Sequence, residues 1–300
     1  MCRVSELQRK GRWPMRRDFA VRGHDVLKFD DLDQFGRELQ HLKVHSLAYS
    51  PGKSLPVTTR NGTTVNVGLA NYVRRRLAQY DAEIVTLSCY VNMIHPNKPE
   101  QTKLIAQLAH YLQLAPMFGT RIVATETGSL DPTFVFTKNN FGSAPFKTLI
   151  KNVQTLLPVA HDSGTYLALE PGINHPLWSL DRVADLIQAV GEDPNLKLII
   201  DPANLVLSGT DQPEQILQEA LQRFGERIVA IHLKDFRWVS EAAHRIETVV
   251  PGQGVVDVPA LIRLVDRWQP YGIKCFDELP DGKLEQTLAL PWISEGSSLS

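Results

Sequence analysis

The sequence predicts a single-domain α/β fold, a (β/α)8 barrel, from three observations. Short β-branched apolar runs alternate with longer amphipathic stretches over most of the chain. The 300 residues suit one barrel, which takes about 250 residues, with modest additions. The four late apolar runs also each end in an ionisable residue, as expected where barrel strands open onto a common mouth. The rival arrangement of the same elements is a doubly wound open sheet.

Taken in order, a weak first strand is expected at 19–22, leading into Gly23, His24 and Asp25. Further strands are expected at 44–49, 84–89 and 121–125, then at 166–170, 196–201, 228–232 and 273–277. Between them the apolar positions recur with helical spacing at 32–42, 67–80, 99–118, 146–163, 180–191, 213–224 and 259–268. Ser179 before Leu180 and Asp211 near Pro213 read as helix starts, and Gly164 and Gly225 as stops. The connections 51–68 and 126–143 are long and rich in Gly, Pro, Thr and Asn, which makes them candidate lids. The barrel is placed at 19–290, with a basic, flexible extension at 1–18 and a frayed tail at 291–300.

Composition narrows the function classes. Apolar residues are 43% and charged residues 22% of the chain, which excludes long-range disorder. Lys plus Arg (32) nearly balance Asp plus Glu (33), so no global field draws in nucleic acid or anionic lipid, and neither partner is expected. The 3 cysteines form no CxxC and suit reduced thiols. No apolar segment reads as a signal sequence or membrane span, so a cytoplasmic location is expected. The sequence leaves assembly into a homo-oligomer open.

The chemistry gathers at the late strands. Glu170, Asp201, His232 and Glu278 lie at or just past their C-terminal ends and would converge on one mouth. Taken singly, each acid reads as a strand-end cap or ion-pair partner, and His232 as a core histidine. Together, three carboxylates and an imidazole in one desolvated place need a compensating cation. An oxygen-rich set without Cys leans towards one divalent ion, Mn2+ or Mg2+, with Co2+ and Zn2+ still open.

LALEPG (167–172), IIDPANL (199–205), IHLKDFR (231–237), VPGQGVVD (250–257) and FDEL (276–279) resemble the second-half motifs of the xylose-isomerase-like sugar phosphate isomerase/epimerase superfamily. CYVNMIHP (89–96) and ATETGS (124–129) resemble mid-barrel segments of its bacterial members. The resemblance implies a carbohydrate isomerase or epimerase in which Glu170 and Glu278 are the acid/base pair. Asp201 and His232 complete the metal site, and Arg237 lies beside substrate oxygens or the second glutamate. The substrate is then a small polyhydroxy carbonyl compound, a sugar or sugar phosphate, reacting through a metal-stabilised enediolate.

One departure from the family pattern is Asn204, where many epimerases and AP endonucleases carry the His of D-x-x-H. It can hydrogen-bond a substrate hydroxyl but is a poorer ligand, and it speaks against a trinuclear zinc site. Glu126 and His95 are further candidate pocket residues, the rival readings being a loop-ordering carboxylate and an ordinary loop histidine. His24 and Asp25 reach the mouth or make a polar turn. Asp235 reads equally as a partner orienting His232 or as half of a surface ion pair. The competing activities are a dehydratase of the inosose or dehydroshikimate type, a metal-dependent nuclease for abasic DNA, and a silent sugar-binding barrel.

Overall fold

The computed structural model describes residues 17–26 and 31–293. The expected extension, apart from Arg17 and Asp18, and the tail beyond Ile293 lie outside the described residues. Eight parallel strands close into a barrel in the order β1, β10, β7, β6, β5, β4, β3, β2. They are β1 (Phe19–Arg22), β2 (Ser46–Tyr49), β3 (Glu83–Ser88), β4 (Ile122–Glu126), β5 (Tyr166–Glu170), β6 (Leu196–Ile200), β7 (Ile228–Leu233) and β10 (Ile273–Phe276). The two remaining strands, β8 (Asp235–Ser240) and β9 (Arg245–Val249), pair antiparallel as a hairpin beyond β7. The sequence reading missed this hairpin because 235–249 is charged and lacks a clean apolar alternation.

The outer ring is α1 (Leu32–Leu42), α2 (Val67–Gln79), α3 (Lys98–Phe118), α4 (Ser143–Ser163), α5 (Leu180–Ala189), α6 (Pro213–Phe224), α7 (Val258–Trp268) and α8 (Leu284–Leu288). Their starts follow side-chain chemistry: Asp31, Asn66, Asn97, Ser179 and Asp257 each accept a backbone N–H in the first turn. Gly164 ends α4 in the left-handed region at φ 64. Two expected signals act differently. Asp211 accepts the amides of Leu207 and Ser208 within the loop, leaving Gln212 at the start of α6. Gly225 stays right-handed and opens a short 3-10 turn.

The long connections carry structure of their own. The segment 51–68 folds into two short helices, Pro51–Ser54 and Pro56–Thr59, before α2 begins. In 126–143, buried Asn140 donates to Ser129 Oγ and to the Asn174 carbonyl. The hairpin reaches this loop too, with the His244 ring 4.2 Å from Phe136.

Side chains alternate across each strand with period two, and this decides what the barrel mouth contains. One parity of every strand packs against the helices: Leu47 on β2, Leu167 and Leu169 on β5, Leu198 and Ile200 on β6, Ile231 and Leu233 on β7, Phe276 on β10. The other parity fills the barrel with small residues in two separate groups, Ala20 with Ala48 and Cys275, and Ala124 with Ala168, Ile199 and Ala230. Two residues further along, that inner parity delivers Arg22, Ser50, Glu126, Glu170, Asp201, His232 and Asp277. No helix among the described residues is long and apolar enough to cross a membrane.

Candidate metal centre

Glu170 ends β5, and Asp201 and Asp277 directly follow β6 and β10, while His232 is the penultimate residue of β7. One ligand atom from each lies within 4.8 Å of the others. Glu170, Asp201 and His232 are buried and Asp277 nearly so. Groups outside the cluster fix each carboxylate. Asp201 Oδ1 accepts the backbone amides of Ala203 (2.9 Å) and Asn204 (3.2 Å). Asp277 Oδ1 accepts from Arg22 Nη1 at 3.2 Å, and Glu170 Oε2 from the Tyr90 hydroxyl at 2.6 Å. The other oxygens turn towards one another: His232 Nδ1 lies 3.3 Å from Glu170 Oε1 and 4.0 Å from Asp277 Oδ2.

Two buried atoms of this cluster, Asp201 Oδ2 and His232 Nδ1, make no hydrogen bond and have only ion-pair contacts, to Lys234 Nζ at 3.1 Å and to Glu170 Oε1 at 3.3 Å. Three carboxylates and an imidazole turned to one buried point without good hydrogen bonds among them are what a divalent ion would satisfy. The donor set therefore fits one such ion, held by Glu170, Asp201, His232 and Asp277.

The expected fourth ligand is displaced by one position. Glu278 was placed in the metal set by sequence, but Asp277 shares the inner parity of Cys275 and completes the cluster. Glu278 falls on the other parity with a left-handed backbone (φ 48), and its half-exposed carboxylate meets Lys234 Nζ at 2.9 Å. The signal was present in the run Ile273, Cys275, Asp277, had the two-residue alternation been extended past the strand.

Lys234 is the residue whose importance the sequence least disclosed. It is 2% exposed, and its ammonium lies 3.1 Å from Asp201 Oδ2 and 3.5 Å from Asp277 Oδ2. It also donates to Asn204 Oδ1 at 2.8 Å, while Asn204 Nδ2 donates to Glu170 Oε1 at 2.8 Å. Asn204 thus links the lysine to Glu170 and lies outside the cavity lining, rather than facing substrate as expected.

This crowding moves the titrations. Burial works against the His232 imidazolium, but the carboxylates of Glu170 and Asp277 outweigh it and raise its pKa to about 9. Burial raises Asp201 to about 6 against the pull of Lys234. Burial acts the same way on Asp277, yet His232, Lys234 and Arg22 together hold it well below the usual carboxylate range. Burial, followed by the charge of Glu170, pushes the Tyr90 hydroxyl well above its ordinary value, so it stays protonated and donates.

Above the cluster lies a cavity of about 200 Å3. It is smaller than the roughly 300–1,000 Å3 of drug-sized sites, which suits a small ligand. Its lining combines the acidic Glu126, Glu170, Asp277 and Glu278 with Arg22, His24, Lys53 and His232 and the hydroxyls of Ser50, Ser88 and Tyr90. Glu126 is therefore at the mouth as expected, 3.7 Å from His175 Nε2. Asp25 is drawn into a two-point pair with Arg22.

Two expected pocket residues are elsewhere. His95 accepts the Asn97 amide at the start of α3 and does not line the cavity, so the loop reading describes it. Arg237 lies on the exposed hairpin, where its Nε and Nη2 donate to the Gln253 carbonyl. Asp235 orients no imidazole: its carboxylate accepts the amides of Phe236, Gly252, Gly254 and Val256 and so folds the 250–257 turn.

No curated protein matches the chain, but solved structures resemble it. A 3-keto-D-glucoside 4-epimerase from E. coli superposes with a TM-score of 0.69 at 15% identity, covering 93% of this chain and 99% of its own. A xylose isomerase-like TIM barrel protein from Mycobacterium smegmatis, in complex with magnesium, gives 0.68 at 18% identity, covering 92% and 93%. A probable 3-DHS dehydratase from Bacillus anthracis gives 0.66 at 16% identity, covering 90% and 95%. The model of one family, the xylose isomerase-like TIM barrel, matches residues 38–289. With that match spanning nearly the whole closed barrel, the chain belongs to the xylose isomerase-like TIM barrel family.

Proposed function

We propose that this protein is a divalent-metal-dependent isomerase or epimerase of a small polyhydroxy carbonyl compound. The observation that carries this reading is the four-residue donor cluster of Glu170, Asp201, His232 and Asp277, with ligand atoms within 4.8 Å of one another beneath a small polar cavity. A divalent ion held there supplies Lewis acidity to adjacent carbonyl and hydroxyl oxygens, with Mn2+ or Mg2+ suiting the oxygen-rich set.

The protein's own groups then divide the proton work. Glu170 faces the cavity and takes the proton from a C–H beside the carbonyl; Tyr90 and Asn204 hold its carboxylate in one orientation meanwhile. Glu278, half-exposed on the same lining, returns a proton to carbon from a different direction, which inverts the centre in an epimerisation. Delivery to the neighbouring carbon instead gives aldose–ketose exchange. Asp277 stays ionised, held down by His232, Lys234 and Arg22, and suits a ligand better than a proton donor.

The test is metal titration followed by incubation with ketoses, ketose phosphates and inososes in deuterated water. Deuterium should enter at carbon with the unaltered chain, and Glu170→Gln should lower that exchange by at least roughly 100-fold. Undiminished exchange in Glu170→Gln refutes the base assignment. A conjugated, ultraviolet-absorbing product without an isomeric sugar points to the dehydratase chemistry instead.

A further inference from the structure

The ammonium of Lys234 sits in an oxygen cage. Asn204 Oδ1 at 2.8 Å, Glu278 Oε2 at 2.9 Å, Asp201 Oδ2 at 3.1 Å and Asp277 Oδ2 at 3.5 Å surround it. Two of these oxygens belong to residues of the metal cluster. Carboxylates shared between neighbouring cation positions are how two-metal sites are built, with ions about 3.5–4 Å apart. Here a tethered, buried cation already fills the second position.

We propose that Lys234 is a built-in substitute for a second metal ion: it limits the centre to one divalent ion and keeps the acidic cluster folded when no ion is bound. The inference rests on the metal reading above and concerns a property that activity assays do not report. Four acids, Glu170, Asp201, Asp277 and Glu278, meet at this end of the barrel, and one divalent ion leaves part of their charge uncompensated. The lysine offsets one of the two charges left, and Arg22, on Asp277 Oδ1, the other. Its bond to Asn204 makes the arrangement specific. With Oδ1 taken by the ammonium, the amide nitrogen must face Glu170.

The experiment counts ions. The purified full-length chain, Lys234→Ala and Lys234→Arg are dialysed against Mn2+ alone; bound metal is measured by elemental analysis and by the electron paramagnetic resonance of the Mn2+. The unaltered chain and Lys234→Arg should bind one Mn2+ per chain. Lys234→Ala should bind two, with resonance broadened by a neighbouring paramagnetic ion. Two ions in the unaltered chain, or only one in Lys234→Ala, overturns the proposal. No bound ion in the unaltered chain removes the metal reading itself, a distinguishable failure that takes the proposal with it. If Lys234→Ala is unfolded without metal, recovery of its circular dichroism on adding Mn2+ supports the substitution. Failure to recover at any Mn2+ concentration shows that the ion cannot replace the ammonium, and overturns it.

Discussion

Asp277 and Glu278 are neighbours in sequence with separate surroundings, and the difference is measurable. Asp277 shares its Oδ2 with the cluster and Lys234, whereas Glu278 contacts Lys234 from the other face. Asp277→Asn should therefore weaken Mn2+ binding by at least roughly 10–100-fold, the loss seen when even outer partners of ligands are removed. Glu278→Gln should bind Mn2+ within about threefold of the unaltered chain while losing proton exchange; calorimetry and deuterium incorporation check the two halves. His232 carries a second consequence at this scale. Its pKa is raised from 6.5 to about 9, so in the metal-free chain its contribution to stability is fully present below 6.5 and fades as pH rises through 9. An incoming ion must displace that proton. Mn2+ affinity should accordingly rise about tenfold per pH unit between 6.5 and 9, with proton release detectable by calorimetry in buffers of different ionisation enthalpy. A flat profile would show that His232 is already neutral.

Among the elements, the strands were legible to within a residue or two because their apolar runs are bounded by turns, and the seven long helices because their apolar positions recur at helical spacing. The hairpin β8–β9 was not, since 235–249 is charged and its first residue is tied to a turn that follows in the chain. Asp235, 1% exposed, gathers three amides of the following turn as well as that of Phe236 and fastens the turn to the hairpin. Gly254 belongs to the same knot: a Cβ there would stand 2.2 Å from Asp235 Oδ1 and 2.3 Å from the Phe236 carbonyl. Gly254→Ala should cost about 1–3 kcal/mol in urea unfolding, the usual range for overpacking. At the opposite side of β10, the fully buried Lys274 ammonium meets Asp18 at 2.6 Å and Asp266 at 2.9 Å, tying the entry to β1 and helix α7 to the last strand at the barrel seam.

For the whole molecule, closure of the barrel turns residues at or just past the ends of seven strands into one chamber lined by both acids and bases. A cluster of four donors that folds without an ion should still be stabilised by one. At a Mn2+ concentration about 100 times its dissociation constant, the gain is about 2.7 kcal/mol, which for a chain of this length corresponds to roughly 4 °C in Tm. A chelator should remove that increment in differential scanning, and Asp201→Asn should abolish it. What the sequence determined by itself was the alternation of elements, and three of the four clustered donors, Glu170, Asp201 and His232, because period-two runs and strand ends are local properties. What only the tertiary structure decided was the fourth donor, the burial of Lys234 among carboxylates and the turning of Asn204 towards Glu170. Those depend on which parity of each strand faces inward once the sheet closes, and on cations and anions that the barrel brings together from residues far apart in the chain.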